Sequence, residues 1–158
     1  MFFSKVILSI DNKVLVVKRV FLSSDHAGVE LRLFLSAYLR DLGCEVFDCG
    51  CDPKEHSVDY PDYVHDVVRE VSDTSFGVLI CGTGIGMSIA ANRHKNIRAA
   101  LCSSTMLAKL SREHNDANVL CFGSRYIDPD TAQSVLYTFM TTAFLGGRHA
   151  VRVQKLSE

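Results

Sequence analysis

The sequence predicts an α/β fold: a single doubly wound, Rossmann-like domain with a five-stranded parallel sheet flanked by helices. Three observations carry this. Short apolar runs with strand composition recur along the chain. They are largely continuous rather than alternating, as expected of strands covered on both faces. Between them lie longer stretches of helical periodicity with legible starts and stops. At 158 residues the chain fits one domain, which can bury roughly two-thirds of its unfolded surface.

Residues 1–17 fall outside this pattern and read as an N-terminal extension. They form either an added arm or, with Asp11-Asn12-Lys13 as a turn, a hairpin onto the first strand; residues 18–158 are the domain. The first strand is expected at 19–24. A helix follows over 29–42, apolar at 31, 34, 35, 38, 39 and 42 and stopped by Gly43. The second strand, 45–49, precedes a helix that starts at Pro61 and runs towards Asp73. The third, 76–81, opens into a helix over about 83–92. The fourth, 98–102, leads to a helix over about 104–114, and the fifth is 118–123. Asp128-Pro129-Asp130 then combines a cap, a first-turn proline and an acid that suits the helix dipole. That last helix is expected to end at Gly146-Gly147.

Composition excludes several function classes. The formal net charge is -1, with no long run of either sign, which argues against a nucleic-acid surface and for a small-molecule ligand. Cysteines at 44, 49, 51, 81, 102 and 121 form no CxxC, and they read as free thiols in a reducing cytosol. Cys49 and Cys51 lack a matching pair at zinc-site spacing, so no metal is expected. The opening MFFSKVILSI breaks at Asp11 without a small-residue cleavage site, and no stretch approaches the ~18 apolar residues of a membrane span. The expected location is cytoplasmic, with no membrane partner.

In doubly wound sheets ligands bind at the carboxyl ends of the strands. Ser24-Asp25-His26 and Gly28 follow strand one, Cys81-Gly82-Thr83-Gly84-Ile85-Gly86 follows strand three, and Gly123-Ser124-Arg125 follows strand five. His114-Asn115-Asp116 closes the fourth helix. Glycines directly after a buried strand let backbone N–H groups approach an anionic oxygen. The spacing is neither the G-x-G-x-x-G of dinucleotide sites nor a Walker loop, so a small oxyanion suits it better. Cys81 heads this loop, where adjacent amides would favour a thiolate able to act as base or nucleophile. Asp25-His26 can equally be a helix cap with a neighbouring histidine. Arg148 and Arg152, four apart, are either a solvated tail or a bidentate grip on phosphate.

Taken together, Ser24-Asp25-His26-Ala27-Gly28, Asp59-Tyr60-Pro61, the run CGTGIGMSIAAN from Cys81 to Asn92, His114-Asn115-Asp116-Ala117-Asn118 and Gly147-Arg148-His149 resemble the type B ribose-5-phosphate isomerases. The likeness extends in order from about Arg19 to Arg152. It implies an enzyme of the non-oxidative pentose phosphate pathway that interconverts ribose 5-phosphate and ribulose 5-phosphate, with no cofactor. Under it Cys81 is the base between C1 and C2, Thr83 moves protons between the oxygens, and the amides of Gly82, Gly84, Ile85 and Gly86 hold the enediolate. Asp25 and His114 assist ring opening, Asn115 and Tyr60 orient hydroxyls, and His26, Arg148, Arg152 and Arg125 bind phosphate. The resemblance also implies a homodimer or tetramer with the site between subunits. Relatives act on galactose 6-phosphate or allose 6-phosphate, and a phosphosugar sensor without a base, or a thiol-redox protein, are the rival readings.

Overall fold

Seven strands and six helices make up the described residues, 9–10, 13–14 and 19–156, of this computed structural model. Strands β1 (Ser9–Ile10) and β2 (Lys13–Val14) pair antiparallel, Ser9 opposite Val14, in a two-stranded sheet of their own. The expected alternative of a hairpin joined to the first main strand is therefore not the arrangement found; the rest of 1–17 lies outside the described residues. The domain proper runs β3 (Arg19–Ser24), α1 (Val29–Asp41), β4 (Glu45–Asp48), α2 (His65–Glu70), β5 (Ser75–Cys81), α3 (Ile85–Ala91), β6 (Ala99–Leu101), α4 (Thr105–Asn115), β7 (Val119–Gly123), α5 (Pro129–Thr141) and α6 (Arg148–Lys155).

The five main strands are all parallel, in the order β4-β3-β5-β7-β6. Alternate side chains of each strand enter two separate cores, the period-two consequence of the pleat. Val20, Leu22, Val78, Ile80, Leu120 and Phe122 meet α1, α4 and α5 on one face. Phe21, Leu79, Cys81, Val119 and Cys121 meet α2 and α3 on the other. Crossovers that step towards the β4 edge pass over the first face, and those that step away pass over the second. Every crossover thus keeps one hand. β3 and β5 are neighbours whose chains leave in opposite directions, which opens a crevice at their carboxyl ends.

Two segments differ from the sequence expectation. The stretch after Asp59 is a 3-10 turn, Tyr60–Tyr63, followed by the six-residue α2. Farther on, α5 stops at Thr141 rather than at the glycines; Thr142 turns extended and its carbonyl accepts from Arg112 Nε at 3.3 Å. Gly146 and Gly147 adopt φ of 63° and 54°, and the chain beyond them is not a loose tail but α6. The end of the long CGTGIGMSIAAN run also finds its purpose here. Asn92 closes α3, and its amide accepts from Ala99 N–H at 2.8 Å and donates to Ala99 O at 2.9 Å, pairing with the backbone of edge strand β6 as another strand would.

Leu35 of α1 is fully buried in the larger core. Leu35→Ala should lower unfolding free energy by about 2–5 kcal/mol, measured by urea denaturation.

Candidate active site

The turn between β5 and α3 is built on close backbone contacts. Gly84 takes a left-handed φ of 75°, and a Cβ there would lie 2.5 Å from Leu101 Cδ1 and 2.7 Å from the Phe122 carbonyl carbon. A Cβ on Gly123 would lie 2.4 Å from the Thr83 carbonyl oxygen. The turn therefore rests directly on the backbone of β7, which no larger residue at either position allows. Ser124 N–H donates to Cys81 O at 2.9 Å and Arg125 N–H to Gly82 O at 3.2 Å, extending the pairing past the strand ends.

Within the turn the Gly84 N–H donates to Cys81 Sγ at 3.1 Å, and the Ile85 N–H to Thr83 Oγ1 at 3.3 Å. Both side chains are thus aimed by amides of their own loop. Cys81 is nearly buried at 5% exposure, at the rim of the smaller core, whereas Thr83 is exposed. None of the six cysteines is joined in a disulfide, and burial pushes the thiols of Cys49, Cys51, Cys102 and Cys121 above the usual thiol range. These four are held protonated as apolar filling.

Around the turn stand most of the expected site residues. Asp25 caps the 3-10 turn that follows β3, its carboxylate accepting from Ala27 N–H at 2.9 Å and Gly28 N–H at 3.2 Å. Gly28 is forced: a Cβ would lie 2.7 Å from the Ile80 side chain. His26 accepts the Val58 N–H on Nδ1 at 3.2 Å, which leaves its proton on Nε2. Tyr60 lays its ring on Gly86, and the Arg125 guanidinium lies over Gly82, 3.0 Å from where a Cβ would be. Ser124, without a role in the sequence analysis, locks the two turns together by donating from Oγ to Ala27 O at 2.8 Å.

His114, Asn115, Arg148 and Arg152 are not part of this group. A helix between two parallel strands runs back along the sheet, so the end of α4 lies at the amino ends of the strands. There Asp116 O accepts from Arg98 Nε at 2.8 Å, just before β6, and Asn118 O accepts from Gly77 N–H at 3.0 Å. From Gly77 to Cys81 the strand alone covers about 13 Å. Within one chain, His114, Asn115, Arg148 and Arg152 thus lie at the opposite end of the sheet from the turns that carry the other expected site residues. At this second location the His114 and His149 rings stack with centroids 4.3 Å apart and planes 6° apart. Arg148 and Arg152 are exposed on α6 and form no salt bridge among the described residues.

A family model described as ribose/galactose isomerase matches residues 20–156. The chain belongs to the ribose/galactose isomerase family. Ribose-5-phosphate isomerase B of Escherichia coli is 41% identical over 143 residues, covering 89% of this chain and 95% of that protein. A solved structure of ribose 5-phosphate isomerase B from Anaplasma phagocytophilum is 99% identical, with a TM-score of 0.89 over 90% of this chain and 98% of that one. Another, from Mycoplasma genitalium with bound ribulose-5-phosphate, is 38% identical, with a TM-score of 0.85 over 88% and 93%. The turns at the carboxyl ends of β3, β5 and β7 converge, and among the described residues no cluster of side chains suited to a metal ion joins them.

The sequence reading missed His149 and gave Arg32 no role. His149 sat in a quoted motif, but only the packing of α6 on α4 brings it to His114. Burial first, then His114, Arg148 and Arg152, hold its imidazole below the ordinary range. The folded chain therefore takes up this proton less readily than the unfolded chain, so stability falls as the pH drops below about 6.5. Amide protection factors in α6, taken relative to the intrinsic exchange rate at each pH, should fall on such acidification, and His149→Phe, which keeps a stacked ring but cannot titrate, should remove that pH dependence.

Proposed function

We propose that this chain is an aldose–ketose isomerase that interconverts D-ribose 5-phosphate and D-ribulose 5-phosphate through an enediolate. The observation that carries the reading is the Cys81–Thr83 pair, each side chain aimed by an amide of one glycine turn, with Asp25, His26 and Arg125 around it. The family match and the relative that holds ribulose-5-phosphate support it.

The chemistry follows from these positions. Cys81 Sγ takes the proton from C2 of the open-chain aldose, the C–H pair becomes the C1–C2 double bond, and O1 gains the negative charge. Amides of the turn stabilise that oxyanion, a preorganised contribution worth several kcal/mol. Thr83 moves a proton between O2 and O1, and Cys81 returns its proton to C1 to give the ketose. Asp25 with His114 opens the furanose, and Asn115 and Tyr60 orient hydroxyls. His26, a neutral donor through Nε2, binds phosphate with Arg125, Arg148 and Arg152, which fixes C2 beside the sulfur. Metal and organic cofactors have no part in this sequence of steps.

One chain cannot bring both groups of residues together, so the site is completed by His114, Asn115, Arg148 and Arg152 of a second copy. An exposed apolar surface suits that contact. It includes Ile85, Ile89, Leu101, Met106 and Tyr126, the last two 63% and 76% exposed, beside an apolar cavity of about 310 Å3 that adjoins Thr83. A homodimer, alone or paired into a tetramer, satisfies the arrangement. Six cysteines outside any disulfide support a cytoplasmic location; no helix among the described residues is long and apolar enough to cross a membrane. Residues 1–17 are an extension outside the domain, consistent with a family match that begins at residue 20.

In deuterated water the protein should convert ribose 5-phosphate to the ketose and place deuterium at C2 of recovered aldose. Cys81→Ala should lower kcat by about 10²–10⁴-fold; a variant as active as the parent would overturn the assignment of the base. Mixing Cys81→Ala with His114→Ala subunits should restore about a quarter of the parent activity, because half of randomly mixed dimers carry one intact site. No recovery on mixing would place both residues in a site within one chain.

A further inference from the structure

Arg32 is a charged residue on the inward face of α1. It shares that face with Ser36 and Leu39 and is 2% exposed. A buried guanidinium is costly unless its donors are used, and here they converge on the chain that borders the site. Nη1 donates to Ser24 Oγ at 2.9 Å, directly before Asp25. Nη2 donates to Cys51 O at 2.8 Å. Nε faces the Asp48 carboxylate at 3.0 Å, as an ion pair rather than a well-directed hydrogen bond. Gly50 is glycine for this reason, since a Cβ there would fall 1.6 Å from Nη1.

The guanidinium thus fixes the beginning of an otherwise exposed segment, 52–57, that runs from Cys51 to Val58. Cys49 and Cys51 pair with β3 through Leu22 O and Ser24 O at 2.7 and 3.1 Å. At the far end Val58 gives its N–H to His26 Nδ1, and two residues later Tyr60 lies on Gly86. Few other contacts hold the stretch: Asp52 accepts from Lys54 N–H, and Tyr63 donates to Glu55. The placement of Val58, and with it the nitrogen of His26 that carries the proton, depends on where Cys51 is anchored.

We infer that Arg32 is a positioning residue: it anchors the 51–58 segment so that Val58 holds His26 as the Nε2–H tautomer that faces the substrate. The inference rests on the role given above to His26. A lysine in its place would keep the charge against Asp48 but lacks the planar fork that reaches Ser24 and Cys51 together.

The test uses the full chain with isotope-labelled histidine. In the parent protein, imidazole nitrogen NMR should show His26 protonated on Nε2, with the Val58 amide protected from exchange. Arg32→Met should mix the tautomers, expose the Val58 amide and raise KM for ribose 5-phosphate about tenfold with little change in kcat; Arg32→Lys should fall between. Parent-like His26 and Val58 signals in folded Arg32→Met overturn the inference. Should that variant not fold, the same parent-like signals in Arg32→Lys overturn it. Altered signals with an unchanged KM sustain the coupling and overturn instead the role of His26 as a substrate ligand, which His26→Ala with unchanged KM would report independently.

Discussion

The contact on which the site depends is one of backbone upon backbone at the carboxyl edge of the sheet. The turn after β5 lies so close to β7 that a Cβ on Gly123 would meet the Thr83 carbonyl at 2.4 Å, and Gly84 must take a left-handed φ to make the approach. Because the turn is seated on a strand rather than held by side chains alone, its amides have little freedom. Cys81 and Thr83 inherit that rigidity through the Gly84 and Ile85 N–H groups. Preorganised amides are effective at an oxyanion because they need no reorganisation when the charge forms.

The surrounding structure protects this seat by linking the three turns that meet there. Ser124 ties the β7 turn to Ala27, Asp25 closes the β3 turn on itself, and Arg32 binds Ser24 to the segment that leads to Val58. Polar groups at the rim are used in pairs, which stiffens the site. The same logic operates at the other end of the sheet. Arg112, packed over Phe76 and Phe139, satisfies Ala117 O and Thr142 O and pairs with Asp116, which fixes the end of α4 where His114 stands.

In the function proposed above, the separation of the two ends gives a second copy its purpose. Arg148, Arg152 and His114 stand at the amino end of the sheet, far from Cys81 of the same chain, and in that proposal each copy supplies them to the turn of the other.

Much of this was legible in the residues. Continuous apolar runs determined a parallel sheet, since only strands covered on both faces lack alternation, and β3 and the start of α1 fall where periodicity put them. The glycines after β5 marked a tight strand-to-helix turn, which Gly84 makes in a left-handed conformation. Elements held by long-range contacts were less visible. α6 follows two glycines and owes its position to His149 packing on His114, and the break in α5 owes its capped carbonyl to Arg112 on another helix. Arg32 did leave a trace, as a charge in the inward phase of a helix, but only the folded chain shows what the charge holds. Local chemistry fixes which turns and caps form, because their hydrogen bonds lie within a few residues. Which end of the sheet each residue reaches is set by the direction in which the helices return, and that belongs to the tertiary structure alone.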